Sequence, residues 1–171
     1  MYDEAMRRLI ITVLMMILAL SLCGCFLLGG STDKKLTAYH SDSPVVAVRL
    51  YYQTDRKGPD RTYAFEELPA DKLDEFIKTV DSMALYMHTF HTDYFWGGSY
   101  GIEMTLEDGT YLTYDGTCLK LSKTPVDVKA DAKEDKISST FIEVKNCDFW
   151  KEMRQFFPDV EDKYLKDMVG W

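Results

Sequence analysis

The sequence predicts an α+β domain: a mostly antiparallel sheet of five to six strands, one long amphipathic helix packed on a face, and a second, C-terminal helix. Three observations carry this. Apolar and polar residues alternate with a period of two near residues 45–54 and 100–107. An apolar stripe at spacings of three and four runs through 70–85. Two Asp-Gly pairs, Asp108-Gly109 and Asp115-Gly116, follow each other closely, as in a tight meander.

The elements follow in order. In "VVAVRLYYQT", Val46, Val48, Leu50 and Tyr52 fall on one face and Arg49, Tyr51 and Gln53 on the other, which predicts a half-buried strand. Gly58-Pro59 punctuates a loop, and "TYAFEEL" returns as a hairpin partner. In "PADKLDEFIKTVDSMALY", Leu73, Phe76, Ile77, Val80, Met83 and Ala84 make one stripe, while Asp71, Asp74 and Glu75 suit a helix N-terminus. Tyr100, Ile102, Met104 and Leu106 alternate with Glu103, Thr105 and Glu107, predicting one dry and one wet face. "TYLTY" and "TCLKLS" extend the meander through Asp-Gly turns of type I′, where both central residues need φ > 0. The charged stretch 123–136 reads as a solvated loop, and "ISSTFIEVK" as a strand. Phe149, Trp150, Met153, Phe156 and Phe157 form an aromatic stripe over 148–157 that Pro158 stops.

Ahead of this domain the chain has a different character. Arg7 and Arg8 precede Leu9–Leu22, an uncharged run of the kind that forms the apolar core of a secretory signal. Leu22-Cys23-Gly24-Cys25 follows, and it resembles the lipobox of bacterial lipoproteins. The resemblance implies cleavage before Cys25, with that cysteine diacylated, because Cys25 places the small Gly24 at the cleavage position whereas Cys23 would place Leu22 there. It covers only about the first twenty-five residues and implies nothing about the domain behind. A competing reading keeps Leu9–Leu28 as an uncleaved transmembrane anchor, since twenty residues at about 1.5 Å each cross a ~30 Å hydrocarbon core. Both readings tether the domain at the extracytoplasmic face of the bacterial cell membrane. The expected organisation is a signal peptide over 1–25, a flexible stalk over 26–43 with Gly29, Gly30, Ser31 and Thr32, and a single domain over 44–171.

Charge and cysteine content narrow the partners. Of 28 acidic and 20 basic residues, two of each lie in 1–25, so the net charge of −8 belongs to the exported part. No basic cluster stands out, which argues against nucleic acid and against charge-driven binding to anionic lipid. Cys118 and Cys147 are the two cysteines beyond the lipobox; they are a candidate disulfide in an oxidising compartment, and separate half-buried thiols are the alternative.

One stretch looks chemical: "HTDYFWGGSYG", residues 91–101. Its Gly97-Gly98-Ser99-Tyr100-Gly101 fits the G-x-S-x-G pattern, but that chemistry needs the serine between a strand and a helix N-terminus. Here Ser99 precedes a strand, and His40, His88 and His91 all lie before it, against the Ser, acid, His order of that fold. His88-x-x-His91-x-Asp93 offers three ligand types, yet a strand would point the two histidines to opposite faces, so no metal and no cofactor is assigned. Tyr94, Phe95 and Trp96 are consecutive, and alternation cannot bury all three in one core; they are the candidate contact surface for a ligand or partner. The expected function is therefore a lipid-anchored, non-enzymatic binding or interaction module of the cell envelope, with an envelope protein, peptide or wall sugar as partner. The alternative is a small serine hydrolase centred on Ser99 with His88 or His91.

Overall fold

The computed structural model describes residues 6, 11–13, 15, 29–53, 63–88, 100–128 and 135–158. It shows eight antiparallel strands in one sheet rather than five or six. They are β1 (Gly30–Thr32), β2 (Val45–Gln53), β3 (Tyr63–Glu67), β4 (Leu85–His88), β5 (Tyr100–Leu106), β6 (Tyr111–Tyr114), β7 (Cys118–Ser122) and β8 (Lys136–Val144). Their order across the sheet is β1-β4-β8-β7-β6-β5-β2-β3. The expected long helix over 70–85 is short: a 3₁₀ turn at Ala70–Lys72 leads into α1 (Leu73–Asp81). The expected helix over 148–157 is α2, only Phe149–Met153.

The core lies on one face, and the register shows why. Val48, Met104, Leu112 and Leu121 are cross-strand partners in one row over β2, β5, β6 and β7, and Leu50, Ile102, Tyr114 and Leu119 in the next. All eight are buried to 5% exposure or less. Because side chains alternate with a period of two, one register aligns every large apolar residue on the same side. Phe76 and Val80 of α1 seal one part of this face, and Phe149, Trp150, Met153, Phe156 and Phe157 another. The two groups meet where the Phe76 and Phe156 rings pack edge-on at 5.4 Å.

Local chemistry explains where the helix stops. Ser82 Oγ bonds back to the Thr79 carbonyl at 2.7 Å. Asn146 Oδ1 then accepts the Ala84 N–H at 2.8 Å, in place of the helical acceptor that another turn would supply. Lys145 N donates to the Ala84 carbonyl at 3.0 Å. The chain therefore turns through Ser82 and Met83 and becomes a strand at Leu85, and β4 pairs with β8 as Leu85↔Val144 and His88↔Phe141. Asp148 caps α2, accepting from Lys151 N at 3.2 Å.

The stalk expected over 26–43 is also revised. From Gly29 onward the chain is built into the domain: Gly30, Ser31 and Thr32 pair with Met87, Tyr86 and Leu85, and Leu36 and Tyr39 lie in the core. Asp81 holds this segment down, its Oδ1 accepting from both Thr37 N (3.2 Å) and Thr37 Oγ1 (2.8 Å).

The meander forms as expected, but its turns are not type I′, because among the described residues only glycines have positive φ. At the first turn Gly109 (φ 81°) donates to the Leu106 carbonyl and Leu106 N to Thr110, a three-residue loop with glycine in the left-handed position. At the second, Gly116 (φ 95°) leads Thr117, while Asp115 Oδ1 gathers Thr117 N, Thr117 Oγ1 and Cys118 N within 2.9 Å. Val46, expected inside, is 48% exposed, because a register shift between Val45 and Ala47 turns Val45 inward instead.

Candidate functional site

The chemistry of the described chain concentrates on the sheet face opposite the core. Arg49 on β2 and Glu103 on β5 are register partners there. Arg49 Nε donates to Glu103 Oε1 at 2.6 Å and Arg49 Nη2 to Asp127 Oδ1 at 2.6 Å. The second Glu103 oxygen accepts the Val126 N–H at 2.6 Å. The guanidinium also lies 3.9 Å from the Phe65 ring centre. This network draws the connection after β7 across the sheet, so Glu103, expected on a wet face, is only 1% exposed. Burial pushes the Glu103 carboxyl above its ordinary value against the hydrogen bonds from Val126 and Arg49. Burial also opposes the Arg49 charge, but its bonds to Glu103 and Asp127 outweigh it and raise the pKa. Both Glu103 oxygens are occupied, and Arg49 is tied at Nε and Nη2. The arrangement is a clamp.

Beside it, Tyr51 crosses over Gly101 toward the Tyr114 carbonyl. A Cβ at Gly101 would stand 2.6 Å from Tyr51 Cζ and 2.9 Å from that carbonyl, so only glycine admits the ring here. Tyr51 is 3% exposed and meets Tyr63 edge-on at 5.8 Å. Cys118 also belongs to this face, since its neighbours Leu119 and Leu121 point into the core. Cys147 packs on the core side. The candidate disulfide pair therefore divides between the two faces, and both residues are free thiols in the structure. Burial pushes the Cys118 thiol up to about 11, a poor nucleophile at neutral pH.

A third cluster lies on β4 and β8. His88 Nε2 is 3.1 Å from Glu143 Oε2, the same oxygen that accepts Lys145 Nζ at 2.6 Å. The hydrogen bond from Lys145, aided by His88, lowers the Glu143 pKa. Tyr86 packs against His88 at 5.0 Å and under Lys145 at 5.4 Å. On the opposite side of the molecule, an open groove of about 350 Å³ is lined by Lys35, Asp74, Ile77, Lys78, Asp81 and Ser82. Its two lysines and two aspartates balance in charge. His40, bonded to the Leu119 backbone, keeps Nε2 buried without a partner, and burial lowers its pKa.

Several residues singled out in the sequence, Cys25, His91, Asp93, Tyr94, Phe95, Trp96 and Ser99, lie outside the described residues. The segment holding Tyr94, Phe95 and Trp96 joins β4 to β5, four places apart in the sheet. Among the described residues no group of three or more His, Cys, Asp or Glu is placed to hold a metal ion. No described helix is long and apolar enough to cross a membrane. Sequence reasoning missed the Arg49–Glu103–Asp127 clamp; its only signal was a charged residue at the centre of each of two adjacent strands. Comparison with family models, with curated proteins and with solved structures finds no match to this chain.

Proposed function

We propose that this chain is a cell-envelope lipoprotein, held through an acylated Cys25 at the extracytoplasmic face of the membrane, whose domain is a non-enzymatic binding module. The observation that carries the reading is the uncharged Leu9–Leu22 run ending in Leu22-Cys23-Gly24-Cys25. The exposure of the described N-terminal side chains supports it: Met6, Ile11, Val13 and Met15 are 47–65% exposed, so the domain does not cover them. The mutual bonding of Arg49, Glu103 and Asp127, with Glu103 buried between strand and connection, suits those groups to holding shape. Tyr94, Phe95 and Trp96 are the proposed contact surface, for an envelope protein, a peptide or a wall sugar.

The intact mass of the membrane-extracted protein tests the anchor. A mass of residues 25–171 plus acyl chains is expected; an unmodified chain that washes off the membrane overturns the reading. Crosslinking in intact cells from positions 94–96 tests the module, and capture equal to that from the exposed Glu75 on α1 counts against the surface.

A second reading, hydrolysis by Ser99, draws on one observation, the His88–Glu143 pair. That carboxylate is shared with Lys145, which weakens its hold on a charged imidazole. Stoichiometric labelling of Ser99 by a serine-directed fluorophosphonate probe would favour hydrolysis over the binding module.

A further inference from the structure

We infer that the β1 edge of the sheet is held against the lipid headgroups of the bilayer that carries the tether. This rests on the anchored reading above and follows from where the fold begins. From Cys25 to Gly30 there are five Cα steps, which span at most about 18 Å fully extended. If Leu9–Leu28 instead remains in the membrane, its apolar run ends immediately before Gly29 and the span is shorter still. No slack is recovered after Gly30. Gly30, Ser31 and Thr32 are hydrogen-bonded to β4, and Gly29 (φ 109°) lies so close to Met87 that a Cβ there would collide with the Met87 carbonyl. Leu36, Thr37 and Tyr39 then fix the following residues in the core and on α1.

The opposite edge, β3, is seven strand spacings away, about 34 Å measured along the sheet. A tether of this length holds β1 near the bilayer, whereas nothing in the chain ties β3 to it, so the two edges are not bound alike. The contact is set by chain length and not by charge. Asp33 stands beside Lys34 and Lys35, and the exposed Lys34 is engaged within the chain, its Nζ bonded to the Tyr39 carbonyl at 3.3 Å. The surface that fits this edge is thus a bilayer of any headgroup charge. Whatever the domain binds, β1 is its membrane-side edge and β3 lies away from it.

Energy transfer to headgroup-labelled acceptor lipid tests this on the lipid-anchored protein in vesicles. The donor dye is attached through Ser31→Cys on β1 or Glu67→Cys on β3, both exposed positions, in a Cys118→Ser/Cys147→Ser background. Severalfold more efficient transfer from position 31 is expected, unchanged between zwitterionic and anionic vesicles. Equal transfer from both positions, in protein whose mass confirms the tether, overturns the edge assignment and leaves the lipoprotein reading standing. Greater transfer from position 31 on anionic vesicles alone overturns it too, since charge would then set the orientation. Protein of unmodified mass that does not stay with the vesicles overturns both. Should the serine background fail to fold, an azide-bearing residue at 31 and 67 carries the dye in the otherwise unaltered chain.

Discussion

Replacing Glu103 by alanine should be among the most damaging single changes on the outer face. The side chain is 1% exposed, so its removal leaves partners that water reaches poorly. Three losses combine. Arg49 loses a charged hydrogen bond, worth about 1.5–3 kcal/mol, taken at the low end because Arg49 is 20% exposed and keeps Asp127. The Val126 N–H loses its acceptor, about 1 kcal/mol once the loop relaxes toward water. A small cavity adds a few tenths. The total is about 3 kcal/mol, at the lower edge of the ~3–5 kcal/mol seen when one partner of a buried pair is removed. For a domain of this size that lowers the melting temperature by roughly 10 °C. Urea unfolding followed by circular dichroism should show a lower midpoint at constant slope. Trypsin should also cut faster after Lys123, where the clamp no longer pins the connection. Glu103→Gln keeps an acceptor for Val126 and should lose only about half as much. Its pH profile should differ as well. Because burial raises the folded pKa above the ordinary value, Glu103 favours folding most below that ordinary value, and the contribution is lost as pH rises through the raised one. Glu103→Gln should abolish that slope. A loss below about 0.5 kcal/mol for Glu103→Ala would refute the clamp.

Other expectations follow from the same structure. Gly101→Val should cost about 2–3 kcal/mol by driving a side chain into the Tyr51 ring, and Tyr51→Leu should recover part of it; two additive losses in a double-mutant cycle would rule out the contact. Asp81→Ala removes both bonds to Thr37, so stability should fall by about 1–2 kcal/mol and amide exchange should quicken around 36–39, with unchanged exchange there counting against the role. His40, whose pKa is lowered by burial, stays neutral in the folded state where the unfolded chain would take a proton. Stability should therefore fall as pH drops from the ordinary histidine value of about 6.5 toward the lowered one, and His40→Gln should flatten that slope. Thiol titration in denaturant without reductant should find two free thiols in residues 25–171, reacting slowly in the native protein at pH 8; none would mean that Cys118 and Cys147 are bridged.

What the sequence disclosed follows the strength of local pattern. Strands β2, β3 and the β5–β7 meander were legible because alternation and Asp-Gly turns are local signals, though the bulge that turns Val46 outward was not. Strand β1 was not. Gly30-Ser31-Thr32 has no apolar pattern, and its order comes from pairing with β4, more than fifty residues away. Leu85–His88 looked like the end of a helix because Met83 and Ala84 continue the stripe of α1; Asn146, a distant residue, redirects the chain. Glu103 and the 123–128 connection each read as solvated, since neither can reveal that the other covers it. The proposed contact residues were chosen for chemistry, not pattern, and lie outside the described residues.

The strand order also dictates a timetable. Strands β2 and β3, and β5 to β7, find partners within a few tens of residues and can pair as soon as they leave the ribosome or a translocation channel. Strand β4 has β1 on one side, but its other neighbour is β8, whose matching residues 141–144 lie more than fifty positions downstream. Until they arrive, β4 and β1 make a narrow ribbon of three cross-strand pairs, too small to persist in water. Strand β8, the last strand among the described residues, therefore works as a keystone: it joins that ribbon to the finished meander. A chain shortened before residue 141 should keep β2, β3 and β5–β7 paired and release β1 and β4.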